Sequence, residues 1–440
     1  MKAPAYRKTV LTAHLAAYAA MFALLAGCHQ DSELATTKPL PDAAQISLGE
    51  RLAKAGDCAS CHDSAKREPF AGGLAVNSPF GPIYASNITP DTTYGIGNYT
   101  PEQFAAALQR GAAPGGKRLY PAMPYPSFAA LDPRDVNALY QYFMYGVKPV
   151  ANAAPQTHLP FPFNQRWVMM FWRLAFAQHG LFKPDPERSA QWNRGAWLVQ
   201  GLGHCGACHT PRGPAFNEMG YTERSPLYLT GGVIDHWYAP NLTGDPGGGL
   251  GRWSANEIAA FLRDGHNDRA YAFGAMAPVV GASTQYMSDD DLHAIATYLK
   301  SLPVHEASGQ YADSAAARAS TMAALRGGMP ERPGAGLYLS YCAKCHAADG
   351  SGTQNKAPPL AGSSIALSSN PTSLLRLIVE GSESPQTNGA AEPLKMPAFR
   401  AHFTDSEVAQ VASFVRGAWG NNASPVAPAE VTRLREAIHR

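Results

Sequence analysis

Three pentapeptides in this chain share one frame: Cys58-Ala59-Ser60-Cys61-His62, Cys205-Gly206-Ala207-Cys208-His209 and Cys342-Ala343-Lys344-Cys345-His346. They use six of the seven cysteines. Each frame sets two thiols on one helical turn with a histidine directly after them. That is the attachment signature of c-type haem. The thiols add across the two vinyl groups of one porphyrin, and the histidine ligates the iron. A zinc site would need its cysteine pairs close together, whereas these frames lie 147 and 137 residues apart. A thioredoxin-like pair has no need of a following histidine. Covalent haem also enlarges the core that a short stretch of chain can build.

The frames belong to a longer repeat. A short helical pattern with an early glycine precedes each: Gly49-Glu50-Arg51-Leu52, Gly195-Ala196-Trp197-Leu198 and Gly336-Leu337-Tyr338-Leu339. These glycines are expected to let a later aromatic helix cross closely. Tyr84-Ala85-Ser86-Asn87-Ile88-Thr89 and Tyr238-Ala239-Pro240-Asn241-Leu242-Thr243 follow the first two frames. Capping boxes come next at Thr100 and Ser254, and their helices are expected to stop at Gly111 and Gly265. The third copy places the corresponding helix over 371–380, before Gly381. A closing helix starts at Asp132, Ser288 and Thr404. At 440 residues the chain has room for about three domains, in line with this count.

Each repeat offers a methionine as the sixth iron ligand. Met123, Met276 and Met396 lie 61, 67 and 50 residues after His62, His209 and His346. Each has a proline within two residues, which is expected to hold the segment extended. His–Met ligation raises a haem potential and suits electron transfer. Met144, Met219 and Met287 are rivals without counterparts in the other repeats, and His266 and His402 are the nearest spare histidines. His204 is expected at the surface or beside a haem propionate.

The N-terminus reads as an export signal. Lys2, Arg7 and Lys8 precede an apolar stretch that ends Leu25-Ala26-Gly27-Cys28. That ending looks like a lipoprotein site, with Cys28 acylated after cleavage. Beyond residue 27 no run of ~20 apolar residues occurs, so the sequence predicts no membrane-spanning helix. The whole chain carries a net charge of +2, and without its first 27 residues it holds 33 basic against 34 acidic residues. Such a balance argues against nucleic acid as a partner.

Two connecting stretches differ in character. Residues 161–176 are rich in Phe and Trp and are expected mainly to pack between repeats, with a surface docking to a partner subunit or to the membrane interface as the sharper alternative. Residues 305–330 are Ala/Ser-rich and are expected to be merely connective. A weak helical pattern starts at Pro428 in the tail.

Together with the haem frames, long segments carry a family resemblance: Ser86 to Asp91, Gly95 to Tyr99, Arg118 to Tyr125, Gly201 to Gly213 and Trp237 to Thr243. The chain resembles the tri-haem cytochrome c subunits of bacterial membrane-bound dehydrogenases for alcohols, gluconate, sorbitol and aldehydes. The resemblance covers about residues 46–420. It implies an all-α fold of three tandem class I cytochrome c domains, over 46–150, 191–303 and 331–421. A signal peptide over 1–27, a tether over 28–45, linkers over 151–190 and 304–330 and a tail over 422–440 complete the division. It implies three covalent haems on Cys58, Cys61, Cys205, Cys208, Cys342 and Cys345. The implied axial ligands are His62 with Met123, His209 with Met276 and His346 with Met396. The implied partners are a large catalytic dehydrogenase subunit holding flavin or pyrroloquinoline quinone, optionally a small subunit, and ubiquinone. The implied location is the periplasmic face of the cytoplasmic membrane. Two features depart from the family pattern: the lipoprotein-like Cys28, and the third repeat's lack of the Asn-Ile/Leu-Thr segment.

The expected role is therefore electron transfer, with no catalytic residues on this chain. A free-standing tethered cytochrome serving an oxidase or several donors is the alternative. A multi-haem peroxidase would need an iron with a vacant or displaceable ligand.

Overall fold

The computed structural model describes residues 38–177, 180–305, 308–327, 333–390 and 392–438. Cys28, the export signal and most of the expected tether lie outside the described residues. An N-terminal unit ends at Leu40, and the body of the protein runs from Pro41.

The body is mostly helical, and its element order recurs. The first section runs through helix Ala43–Ala55, the frame helix Cys58–His62, helix Pro101–Arg110 and helix Pro133–Gln141. The second has Ala190–Trp197, Gly206–His209, Ala255–Asp264 and Asp289–Lys300. The third has Ala335–Leu337, Ala343–His346, Thr372–Glu380 and Asp405–Gly417. Among the described residues four short antiparallel strand pairs, unforeseen in an all-α expectation, accompany the helices.

Local chemistry accounts for the helix ends. Thr100, Ser254 and Thr404 form complete capping boxes with Gln103, Glu257 and Glu407. Gly111 and Gly265 end their helices in the left-handed region, as a Cβ-free residue permits. Asp42 caps the first helix through the amides of Ala44 and Gln45. That helix therefore takes in residues 43–45, which the expected tether had included.

First and closing helices cross at glycine. A Cβ on Gly49 would lie 2.0 Å from Ala138 O, and one on Gly195 2.0 Å from Ala294 O. The third repeat departs from expectation. Gly336 faces open space, and the close approach is at Gly334, where a Cβ would lie 2.2 Å from Gln410 O.

The first two sections share one continuous apolar core, whereas the third has two clusters of its own. The connecting stretches are built in. Asn87 Nδ2 donates to Val150 O at 2.8 Å, and Asn152 Nδ2 to Ala71 O at 2.8 Å, so the chain after the first section folds back over it. The stretch expected to be merely connective carries helix Ala315–Arg326. Its Thr321 hydroxyl accepts from the Trp419 amide at 2.9 Å, and Gln310–Tyr311 pairs with Asn421–Asn422. Its Leu325 and Met322 pack into the third section's core, which its composition alone did not reveal. The tail helix Pro428–Ile438 buries Val431 and Leu434. No helix among the described residues is long and apolar enough to cross a membrane.

Candidate haem-binding sites

Each histidine frame is oriented by one main-chain carbonyl. His62 Nδ1 donates to Ser86 O at 2.7 Å, His209 Nδ1 to Pro240 O at 2.7 Å and His346 Nδ1 to Pro358 O at 2.9 Å. A carbonyl only accepts, so each Nδ1 carries the proton and each Nε2 keeps its lone pair. This is the arrangement that orients a metal-ligating imidazole and raises its basicity. Burial holds all three imidazoles below their usual pKa, which keeps them neutral.

These carbonyls were not singled out from the sequence. The signal was present for two of them, because Ser86 and Pro240 occupy the same place in the repeated Tyr-Ala-x-Asn segment. In that segment Asn87 and Asn241 accept from the amides of Thr89 and Thr243, which fixes the turn presenting the carbonyl. The third repeat lacks the segment, and Pro358 takes over from a different loop.

The six described cysteines are unpaired with one another. Burial pushes the thiols of Cys58 and Cys205 up to about 12 and those of Cys208 and Cys342 to about 11. A zinc site needs thiolates, which these surroundings disfavour. A thioether carries neither proton nor charge, so its burial escapes that penalty. The donor set thus fits covalent haem: two neutral sulfurs and one free Nε2 per frame. Among the described residues no group of three His, Cys, Asp or Glu could hold a metal ion by itself.

The three methionines sit in different local structures. Met123 lies in a turn ahead of the short helix Tyr125–Phe128 and packs on the same core as Cys58. Met396 is extended and pairs with Ser382, on the core that Cys342 also lines. Met276 departs from the expected extended conformation and begins helix Met276–Ala282. Pro278 sits in the first turn of that helix, where a missing N–H breaks no bond. Of the rivals, Met144 is buried and Met287 lines the first core, while Met219 is exposed. His266 stacks on Tyr271 and His402 on the edge of Phe399.

The first two frames lie against each other. Helix Met276–Ala282 packs on the frame helix Cys58–His62, and Tyr125–Phe128 packs on the turn Leu198–Leu202 that leads to Cys205. Cys61 and Cys208 are near enough to interact electrostatically. His204, expected at the surface or beside a haem propionate, is half-buried in this contact. It precedes its frame in the left-handed region (φ 37°), as Asp57 precedes the first (φ 51°). The third section joins through the Met276 loop, where Gly274 N donates to Ser382 Oγ at 3.3 Å.

Comparison with known proteins finds cytochrome c domains in the chain. The cytochrome c family matches residues 193–303, and the family described as cytochrome C oxidase, cbb3-type, subunit III matches residues 329–415. The cytochrome c subunit of the quinone alcohol dehydrogenase of Gluconacetobacter polyoxogenes is 45% identical over 95% of this chain and 89% of its own length. The gluconate 2-dehydrogenase cytochrome c subunit of Pantoea cypripedii is 44% identical over 89% of this chain and 90% of its own. The fructose dehydrogenase cytochrome subunit of Gluconobacter japonicus is 39% identical over 94% and 87%. With cytochrome c domains, and hence covalent haem c, on an electron-transfer rather than a catalytic subunit, the chain belongs to the family of cytochrome c subunits of the quinone alcohol, gluconate and fructose dehydrogenases.

Proposed function

We propose that the chain holds three c-type haems in three tandem class I cytochrome c domains. It would pass electrons from a partner dehydrogenase subunit, holding flavin or pyrroloquinoline quinone, to ubiquinone. The haem supplies a one-electron iron couple when bound. The chain's own residues tether it, through Cys58 and Cys61, Cys205 and Cys208, and Cys342 and Cys345. They present Nε2 of His62, His209 and His346, with Met123, Met276 and Met396 as the sixth ligands. Acylation at Cys28 would hold the protein at the periplasmic face of the cytoplasmic membrane.

The observation that carries this reading is the repeated Nδ1-to-carbonyl bond behind all three histidines. It recurs in the third section even though the sequence around its acceptor differs. A pyridine haemochrome assay on the purified chain tests it. Three haems per chain are expected, and one or none would overturn the reading. Purification from native membranes is expected to bring a large subunit with bound flavin or pyrroloquinoline quinone. Recovery of a stable holoprotein with no partner would favour a free-standing carrier.

A further inference from the structure

Helix Val168–Phe176 has two apolar faces. One is anchored: Trp172 is buried, donates Nε1 to Ala215 O at 2.9 Å and meets the Tyr125 ring edge-on at 6.3 Å. The other faces solvent. Trp167, Phe171 and Leu174 are 61%, 55% and 62% exposed, at the spacing of one helical stripe, with Met170 beside them. Phe161, just ahead, is 79% exposed. The expected packing between repeats therefore applies to Trp172 and not to this stripe. At nine residues the helix is far short of the ~20 needed to span a bilayer.

The stretch of chain that carries the stripe holds charge of one sign. No Asp or Glu occurs between Asp135 and Asp185, a stretch holding Lys148, Arg166, Arg173 and Lys183. Arg166 lies over the Tyr120 ring, 4.4 Å from its centroid, and donates to Arg118 O at 2.9 Å. Lys117 also lies close enough to Arg166 to feel its charge, which brings two cations together at the edge of the stripe. A short helix with Trp, Phe and Leu outward and arginines at its rim is suited to lie in a lipid interface. Anionic headgroups satisfy such a rim without any fixed register.

We propose that Trp167–Phe176 is a membrane-interface helix that seats the first section on an anionic lipid surface. The stripe is backed by the Met123 loop. Tyr120 donates its hydroxyl to Phe163 O at 2.9 Å, and Tyr125 meets Trp172, so residues on both sides of Met123 hold the helix in place. Docking therefore turns the first section toward the lipid phase. Resting on the proposed electron-transfer role, this makes the first haem site the exit toward a lipid-soluble quinone.

The test is flotation of the mature holoprotein with vesicles of phosphatidylcholine, with and without phosphatidylglycerol. A Cys28→Ser background removes any acyl anchor. Binding to the anionic vesicles is expected, weakened by salt. Leu174→Glu with Phe171→Glu is expected to lower the partition by about tenfold or more. These side chains are exposed, so the variant keeps its fold, and its haem count is read on the same sample. Equal flotation of parent and variant would overturn the proposal. So would a parent that ignores both vesicles while the variant loses its dehydrogenase partner, which would make the stripe a protein interface. An intact haem count in either case leaves the electron-transfer reading standing.

Discussion

His204 Nε2 lies 3.2 Å from the carbonyl oxygen of Gly56, so the residue before Cys205 donates to a residue two before Cys58. The His204 ring also meets Phe128 edge-on at 5.5 Å. A single side chain from the second section thus satisfies a buried carbonyl of the first and fills the angle between their frames. Burial lowers the imidazole pKa, so the ring is neutral and its one N–H is committed to this bond.

His204→Ala removes that donor and leaves Gly56 O without it. A loss of about 2 kcal/mol is expected, read as a lower Tm by calorimetry. His204→Gln retains an amide N–H at similar reach and should recover part of the loss. Identical melting of all three proteins would show that the contact adds nothing.

The helix crossings make a paired prediction. Gly195→Ala drives a Cβ to 2.0 Å from Ala294 O, a backbone atom that cannot swing aside. A cost above about 3 kcal/mol is expected, with a sharp fall in the yield of holoprotein. Gly336→Ala meets nothing and should be neutral or stabilising by up to about 1 kcal/mol. Denaturant titration of the two variants separates the outcomes, and equal losses would contradict the assignment of the third crossing to Gly334.

Glu218 is 7% exposed, and burial pushes its carboxyl from 4.5 to about 7. Arg212 opposes this weakly from 3.9 Å. The folded protein therefore binds a proton that the unfolded chain has released between these values. Stability is expected to fall as pH rises from about 4.5 to 7 and then to level off. Glu218→Gln should flatten that part of the profile. A Tm–pH curve with the same slope in both proteins would remove Glu218 as its source.

Arg416 is 2% exposed and acts as a clamp in the third section. Its Nη1 donates to Ala366 O and Ser368 O, each at 2.9 Å, and its Nε to Ser424 O at 2.6 Å. Arg416→Met leaves three carbonyls without this donor. A loss of at least about 3 kcal/mol is expected. Limited proteolysis should then cut within 364–424 before it cuts the first two sections. Unselective cleavage would argue against a local clamp.

The sequence by itself determined the parts of this protein that rest on neighbours in the chain. Two cysteines and a histidine on one turn fall within a single helical period, so all three frames were legible as local chemistry. Caps at Thr100, Ser254 and Thr404 were legible for the same reason, since a side chain and an amide three residues on are always in reach. The family followed from the same segments. Only the tertiary structure decided what those parts face. Ser86, Pro240 and Pro358 act through main-chain carbonyls, which no residue identity announces. Gly334, not Gly336, is the crossing glycine, because the register of two packed helices is set by the whole core. His204 turned inward because the first section lay there, with Gly56 O to receive its N–H. Trp172 and Leu174 are both apolar and two residues apart, yet one is buried and the other faces out. Composition gives both the same hydrophobic drive, and only the surface available to each decides which is buried.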